Sequence, residues 1–142
     1  MKIRITRLSQ EAVIPTSGSP YSAGVDLYSC EDAVVFSGQT TKVSTGIAVE
    51  IPEGYFGGVF ARSGLATRTG LRPANCVGVI DSDYRGEVIV ALHNDSELNR
   101  YIQKGERIAQ LVIMPYMSVE FEEVEQLSET ERQAGGFGST GK

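Results

Sequence analysis

The sequence predicts an all-β domain, built as a sandwich, a jelly roll or a barrel around one core. The chain has 142 residues, the usual size of a single domain, and 41% of them are hydrophobic. Many short apolar segments alternate with polar residues at a period of two, whereas helical periodicity is scarce. The 16 glycines stand singly or in pairs between those segments, as turn residues do.

The alternating segments are predicted to be half-buried strands, because successive side chains of an extended chain point to opposite faces. In chain order they are residues 2–6, 47–51, 87–92 and 118–122. Residues 108–114 form a nearly continuous apolar run, which predicts a strand buried on both faces that ends at Pro115. Between Val79 and Val88 the sequence predicts a β-hairpin, with Asp81 at the end of its first strand.

One short helix is predicted over residues 63–69, with Ser63 as a possible N-cap and Gly70 beyond the helix end. Composition changes only at residues 118–132, which hold six acids and one arginine. The glycine-rich residues after them are unsuited to a core and predict a flexible C-terminal arm. We therefore expect a β core over residues 1–131 and an arm over residues 132–142.

Charge and hydrophobicity exclude several classes of protein. The net charge is -5, and outside residues 118–132 the acids and bases balance, whereas a nucleic-acid binder would carry a basic surface. No stretch approaches the ~20 apolar residues of a membrane span, and the N-terminus lacks the apolar run of a signal peptide. We expect a soluble cytoplasmic protein with no nucleic-acid or membrane partner.

Cysteine and histidine offer little catalytic chemistry. Cys30 and Cys76 lack the spacing of metal ligands and are too few for a disulfide scaffold, so we expect both to be small buried hydrophobes. His93 is the only histidine, and its place between an alternating run and an Asn-Asp pair predicts a strand end beside a turn. Carboxylates and a bound cation are therefore the expected source of chemistry.

Three arginines suggest a place for an anion. Between Glu53 and Asp81 there is no acid, while Arg62, Arg68 and Arg72 fall inside that window. Their charge suits a small phosphate ligand better than a duplex, although a solvated patch explains it equally well.

The C-terminal residues 136–142 nearly spell a P-loop, but the final Ser/Thr and the following helix are missing, so that interpretation fails. Glycines and hydroxyl groups still suit contact with phosphate oxygens. Arg132 adds a charge and Phe137 a ring for stacking on a base; a disordered tail is the alternative.

Five segments together are far more specific than any one of them. In chain order they are AGVDLYS, ARSGLA, NCVGVIDSDYRG, GERIAQLVI and RQAGGFGSTG, and they resemble the five motifs of the trimeric deoxyuridine triphosphate nucleotidohydrolase (dUTPase) family. The resemblance implies a distorted jelly-roll β-barrel that forms a homotrimer, with active sites shared among subunits and closed by the arm. It implies Mg²⁺-dependent hydrolysis of dUTP to dUMP and pyrophosphate, which limits uracil incorporation into DNA and supplies dUMP for thymidylate synthesis.

The resemblance also assigns roles around the nucleoside. Asp81 resembles the carboxylate that orients and deprotonates the water attacking the α-phosphorus. Tyr84 resembles the ring that packs on the deoxyribose and leaves no room for a 2′-hydroxyl. The residues that resemble the uracil-binding strand and its support are Asn75, Gly78, Val79, Ile80 and Ile89.

Further roles concern the phosphates. The residues that resemble phosphate ligands are Arg62, Ser63, Gly64 and Gln110. Asp26, which alternation turns away from its apolar neighbours, resembles the carboxylate that holds Mg²⁺ through water. Arg132 resembles the γ-phosphate clamp and Phe137 the ring that stacks on uracil. The arm residues that resemble the phosphate cover are Gly138, Ser139 and Thr140. Asp83, Arg85 and Arg107 are interpreted as structural.

Two other functions stay open from the sequence. A dCTP deaminase-like enzyme shares the expected fold and trimer, but the resemblance of Arg62-Ser63-Gly64 and Tyr84 favours dUTP hydrolysis. A nucleotide-sensing regulatory protein is the alternative from another class, and intact Asp81, Tyr84 and Arg132 favour retained catalysis over it.

Overall fold

The computed structural model describes residues 1–136, which form twelve strands and one helix. The strands are β1 (Arg4–Arg7), β2 (Thr16–Ser17), β3 (Val25–Tyr28), β4 (Ala33–Val35), β5 (Thr40–Ser44), β6 (Ile47–Glu50), β7 (Tyr55–Phe60), β8 (Leu71–Pro73), β9 (Val77–Ile80), β10 (Ile89–Asn94), β11 (Arg100–Ile102) and β12 (Arg107–Pro115). The helix α1 (Ser63–Thr69) lies between β7 and β8. The predicted all-β class with a single short helix is confirmed.

Every strand pairing in the described chain is antiparallel, and the strands divide among four sheets. The largest sheet has the order β2-β3-β12-β7-β9, and a second has the order β5-β10-β8. Two further pairs are β1 with β6 and β4 with β11. Across residues 1–136 these pairings do not close into one barrel. The structure therefore confirms a mostly-β fold but not the closed jelly-roll barrel that the resemblance implies.

Strand β12 is the centre of the five-stranded sheet, because it pairs with β3 on one side and β7 on the other. Ile108, Ala109 and Leu111 are buried, but residues 112–114 are only half-buried. The expectation of a strand buried on both faces is therefore right for its first half only. Pro115 is the last residue of the strand, as predicted.

Three polar residues are fully buried in the described part of the core, Ser29, Thr45 and Asn94, and Asn94 lies at the end of β10. Its Nδ2 donates to the main-chain oxygens of Val35 at 2.9 Å and Leu98 at 2.8 Å. Its Oδ1 accepts from the main-chain N–H of Ser96 at 3.0 Å. Because each polar atom has a partner, the amide ties β10 to β4 and to the loop before β11.

The predicted β-hairpin after Val79 is wrong. Strand β9 pairs only with β7, while β10 pairs with β5 and β8 in another sheet. The eight residues between β9 and β10 carry the chain from one sheet to the other, and Val88 at their end donates to the carbonyl of Ile47. The two strands therefore splay apart, and β9 is an edge strand.

The predicted strand over residues 118–122 is also absent from the structure. Val119 and Phe121 are 68% and 93% exposed, in a segment that follows β12 without pairing to any described strand. Strand β1 forms where expected, yet Ile5 is exposed. Alternation alone did not predict burial in either place, because a strand is buried only where a second layer covers it.

Several local predictions met mixed outcomes. The bounds of α1 match the prediction, and Gly70 closes the helix in a left-handed conformation with φ of +75°. Arg62, not Ser63, is the N-cap residue, because the helical conformation begins at Ser63.

Cys76 is exposed rather than buried, and Cys30 is half-buried. His93 lies near the end of β10, as predicted, and its ring shares a hydrogen bond with Thr40.

The helix of the described residues is not long and apolar enough to cross a membrane.

Candidate active site

One cavity collects the side chains and main chain that the resemblance assigns to the nucleoside. Its volume is about 230 Å³, and its lining includes Asn75, Gly78, Val79, Ile80, Asp81, Tyr84 and Ile89. We call it the β9 cavity. Sites that enclose a drug-sized ligand usually measure roughly 300–1,000 Å³, so this cavity suits part of a nucleotide rather than all of it.

The cavity lies between β9 and β10, which separate because they belong to different sheets. Strand β9 has β7 on one side only, so alternate N–H and C=O groups along it point toward the cavity. A Cβ on Gly78 would approach both Asn75 Nδ2 and Val59 Cβ to 3.2 Å. Glycine at position 78 therefore avoids crowding Asn75 and Val59 beside the cavity.

Asp81 follows β9 directly and lies at the rim of the cavity, with its side chain exposed. It also lines a neighbouring surface groove that contains Arg4, Glu50 and Arg85. The carboxylate thus lies where the strand edge ends and the surface begins, within reach of water.

The turn after Asp81 is held by its own main chain and by Arg85. Tyr84 donates its N–H to the carbonyl of Asp81 at 3.2 Å, and its hydroxyl donates to the carbonyl of Glu87 at 3.0 Å. Arg85 Nη1 donates to the carbonyls of Ser82 at 2.6 Å and Tyr84 at 3.0 Å. These contacts fix the loop that carries both Asp81 and Tyr84.

Arg85 has the structural surface role that the sequence analysis gave it, because it is exposed and its contacts brace the loop. Its Nη2 also lies 3.7 Å from Glu50 on β6. The contacts themselves were not predicted; a guanidinium can satisfy several carbonyls of a tight turn.

A second cavity is lined by residues of β3, β12 and the end of β7, among them Asp26 and Gln110. We call it the Asp26 cavity. Arg62 Nε donates to Asp26 Oδ1 at 2.8 Å, and Arg107 Nη1 lies 3.3 Å from Oδ2. Gln110 Nε2 donates to the carbonyl of Ala61 at 2.8 Å. That bond explains how a polar side chain is accommodated in the apolar strand β12.

The predicted three-arginine surface carries less free charge than its sequence suggests. Arg62 is paired with Asp26, and Arg72 donates to both carboxylate oxygens of Asp95, at 2.6 Å and 3.0 Å. The Arg72 hydrogen bonds lower the pKa of Asp95 below its ordinary value. A sequence window misses these acids because they approach from distant strands.

The remaining site residues lie apart from the β9 cavity. Ser63 and Gly64 open α1, and Ser63 is exposed. Arg132 is exposed, donates to the carbonyl of Gly135 at 2.8 Å, and lines neither the β9 cavity nor the Asp26 cavity. The predicted residues Phe137, Gly138, Ser139 and Thr140 lie outside the described residues.

Asp26 is compatible with a water-mediated contact to Mg²⁺. An ionised carboxylate has about four acceptor sites, and Arg62 and Arg107 use only part of them. Carboxylate oxygens are donors that Mg²⁺ accepts, and the ion usually retains several of its waters. The acceptor sites of Asp26 that the arginines leave unused can therefore accept hydrogen bonds from the waters of a hydrated Mg²⁺.

Comparison with known proteins gives one consistent family. Residues 10–141 match the family model described as dUTPase. Over the whole of both chains, 51% of residues are identical to the deoxyuridine 5'-triphosphate nucleotidohydrolase of Nautilia profundicola. The protein of the same name from a Hydrogenobaculum species is 47% identical, over 99% of each chain.

Solved structures agree with the sequence relatives. A mutant dUTPase of Staphylococcus bacteriophage 80alpha, solved with dUpNHpp, matches with a TM-score of 0.93 and 32% identity over 99% of each chain. A mutant dUTPase of phage phi11 of S. aureus, which reveals the coordination of a structural Mg(II) ion, matches with a TM-score of 0.82. Its sequence identity is 28%, over 89% of this chain and 98% of that one.

Proposed function

The chain belongs to the dUTPase family, and on that premise we propose that it hydrolyses dUTP to dUMP and pyrophosphate. It is thus a dUTP diphosphatase of nucleotide metabolism, which keeps uracil out of DNA and supplies dUMP. The observation that carries the proposal is the β9 cavity, where an open strand edge, an exposed carboxylate and a tyrosine ring meet.

The open edge of β9 is suited to uracil. One edge of this base alternates acceptors and a donor, so it can pair with main chain as a neighbouring strand would. Gly78, Val79 and Ile80 supply that edge, Asn75 lies beside it, and Ile89 forms part of the opposite wall. A narrow edge of this kind disfavours cytosine by a mismatched exocyclic group and thymine by its methyl group.

Asp81 is the proposed general base. It accepts a proton from the water that attacks the α-phosphorus, and its exposed place at the cavity rim allows that water to enter. Tyr84 packs on the deoxyribose beside it. Mg²⁺ bound with the triphosphate would neutralise phosphate charge and polarise the reacting bond. The similar phage phi11 dUTPase coordinates a structural Mg(II) ion.

The phosphate ligands of the proposal are distributed over three parts of the chain. Arg62, Ser63 and Gly64 follow β7, Gln110 lies on β12, and Arg132 follows the last strand. Ser63 would stabilise charge that develops on the leaving pyrophosphate. The arm residues Phe137, Gly138, Ser139 and Thr140 would stack on the base and cover the phosphates, which excludes water from the closed site.

We propose that three chains complete each site. In one chain the β9 cavity and the Asp26 cavity have separate linings, and Arg132 belongs to neither. A homotrimer that brings the β9 cavity of one subunit to the phosphate residues of a second and the arm of a third resolves this separation. A jelly-roll core over residues 1–131, an arm over 132–142 and a cytoplasmic location complete the proposal.

A nucleotide panel tests the function. Pyrophosphate release is measured for dUTP, dCTP, dTTP and UTP, with Mg²⁺ present and after chelation with EDTA. We expect release from dUTP to be far faster than from the other three nucleotides and to be strongly reduced by EDTA. Ammonia release from dCTP would instead indicate a deaminase. An unchanged rate of pyrophosphate release after chelation would contradict the role of Mg²⁺.

A further inference from the structure

The ring of Tyr84 lies against Gly86, a residue to which the proposed function gives no role. A Cβ built on Gly86 would lie 2.6 Å from Cζ and 3.0 Å from Cε2 of Tyr84. Real Cβ atoms do not approach other atoms so closely, so any side chain at position 86 would displace the hydroxyl end of the ring. The backbone of Gly86 does not have a positive φ, so the absent side chain, not backbone freedom, is what the site requires there.

The hydroxyl end of the ring is also held by the main chain of Glu87. The hydroxyl of Tyr84 donates to the main-chain carbonyl of Glu87 at 3.0 Å. Residue 87 is itself anchored, because its carboxylate accepts from the main-chain N–H of Gly46 at 2.7 Å and from the hydroxyl of Ser44. The carbonyl that receives the tyrosine is thus attached to the turn between β5 and β6.

We propose that Gly86 and the main-chain carbonyl of Glu87 position the ring of Tyr84 and thereby set the selectivity for deoxyribose over ribose. The inference rests on the proposed function, in which Tyr84 packs on the sugar. A ring displaced by one methyl group no longer closes the space beside C2′, so a 2′-hydroxyl is admitted. Gly86 is a positioning residue here, because it touches the tyrosine and not the nucleotide.

The test compares four proteins under identical conditions: the unmodified chain, Gly86→Ala, Tyr84→Ala and the double variant. For each, kcat/KM is measured with dUTP and with UTP by pyrophosphate release in Mg²⁺. The ratio of the UTP value to the dUTP value is the readout, since a general loss of structure lowers both values together. Asp83→Ala is the control, because it alters the same turn without touching the ring.

We expect Gly86→Ala to raise the UTP/dUTP ratio by about tenfold or more, the range in which hydrophobic pockets discriminate single small groups. Tyr84→Ala is expected to raise it at least as far, and Asp83→Ala to leave it unchanged. In the double variant, Gly86→Ala should add nothing to Tyr84→Ala, because the two changes act through one contact.

Three results would overturn the inference. One is an unchanged ratio in Gly86→Ala when Tyr84→Ala raises it, and another is a further rise in the double variant. If Tyr84→Ala itself leaves the ratio unchanged, the sugar role of Tyr84 fails and the inference fails with it.

Thermal unfolding of all variants shows whether each of them folds. If Gly86→Ala does not fold, the folding of the double variant tests the contact between Gly86 and Tyr84. Folding of the double variant as well as Tyr84→Ala supports the contact, because removing the ring then removes the penalty. Failure of both Gly86 variants would show that something other than Tyr84 excludes a side chain there and would overturn the inference.

Discussion

Arg62 donates from Nε to Asp26 Oδ1 at 2.8 Å, in a pair whose side chains are only 27% and 15% exposed. The resemblance assigns Arg62 to a phosphate and Asp26 to a hydrated Mg²⁺, and in the structure these two residues form an ion pair with each other. In the proposed site this pair would orient the guanidinium before substrate arrives, and such preorganisation lowers the cost of binding.

Asp26→Asn should therefore weaken productive binding of dUTP. Asparagine keeps the shape but removes the charge that orients Arg62 and attracts a hydrated cation. We expect a rise in KM for dUTP and a higher Mg²⁺ concentration for half-maximal rate, measured by pyrophosphate release during a Mg²⁺ titration. Asp32→Asn, on an exposed loop, is the control. An unchanged Mg²⁺ requirement would contradict the role of Asp26.

Asp81→Asn should retain nucleotide binding and lose turnover. The amide preserves size but accepts no proton at neutral pH, and general-base catalysis typically contributes about 10²–10⁴-fold to a rate. We expect kcat to fall by about that factor, while the Kd of a non-hydrolysable dUTP analogue stays near that of the unmodified chain. Asp83→Asn, two residues along the same turn, should behave as the unmodified chain. Comparable turnover in Asp81→Asn would refute the assignment.

Truncation after Arg132 should harm catalysis more than folding. The last strand ends at Pro115, and the described side chains that the truncation removes are exposed or half-buried and belong to no core cluster. We expect kcat/KM to fall by about 100-fold through loss of closure, as misplaced substrate contacts can cost. The midpoint of thermal unfolding should change little, and a chain that unfolds on truncation would contradict the boundary at residue 132.

Asn94→Leu should destabilise the fold without altering substrate selectivity. Leucine fills a similar volume but leaves the buried carbonyl of Val35 without its donor, a loss that typically costs about 1–3 kcal/mol. Urea unfolding measures the change. His93→Gln, the preceding residue of β10, is the control because its side chain is only half-buried. Equal stability of Asn94→Leu would show that the amide network is dispensable.

The pKa of Asp95 should respond to Arg72. Hydrogen bonds from Arg72 lower that pKa, against desolvation, which raises it. A lowered pKa in the folded state adds stability above the ordinary carboxyl pKa, and this contribution disappears as pH falls through the lowered value. In Arg72→Ala, NMR titration should show the Asp95 pKa rising toward normal. Arg68→Ala should leave it unchanged, and an unmoved Asp95 in Arg72→Ala would contradict the pairing.

Sequence patterns predicted the parts of the fold that depend on residues close together in the chain. The bounds of α1 follow from Gly70 and the residues before it, and β12 follows from an apolar run ended by Pro115. Pairing was not predicted in the same way, because two adjacent strands can join different sheets without any change in their own sequence. The hairpin prediction failed for that reason, and so did the strand over residues 118–122, which has the alternation but no described neighbour.

The candidate site shows the same division. Asp81 and Tyr84 were proposed as site residues because their segment resembles a family motif, and both line the β9 cavity in the structure. Arg85, Gly86 and Glu87 act through contacts with the turn and with the tyrosine ring, and a residue list carries no trace of such contacts. Their roles became visible only with the atoms in place.

The open edge of β9 also has a cost for the protein before nucleotide arrives. Unpaired main-chain groups on an edge strand can template another extended chain, which is a common start of aggregation. In the binding mode proposed above, the uracil base would occupy the same groups and block that pairing. Bound substrate or product should therefore reduce aggregation of the enzyme during storage and heating. The protein without nucleotide should be the most prone to precipitate.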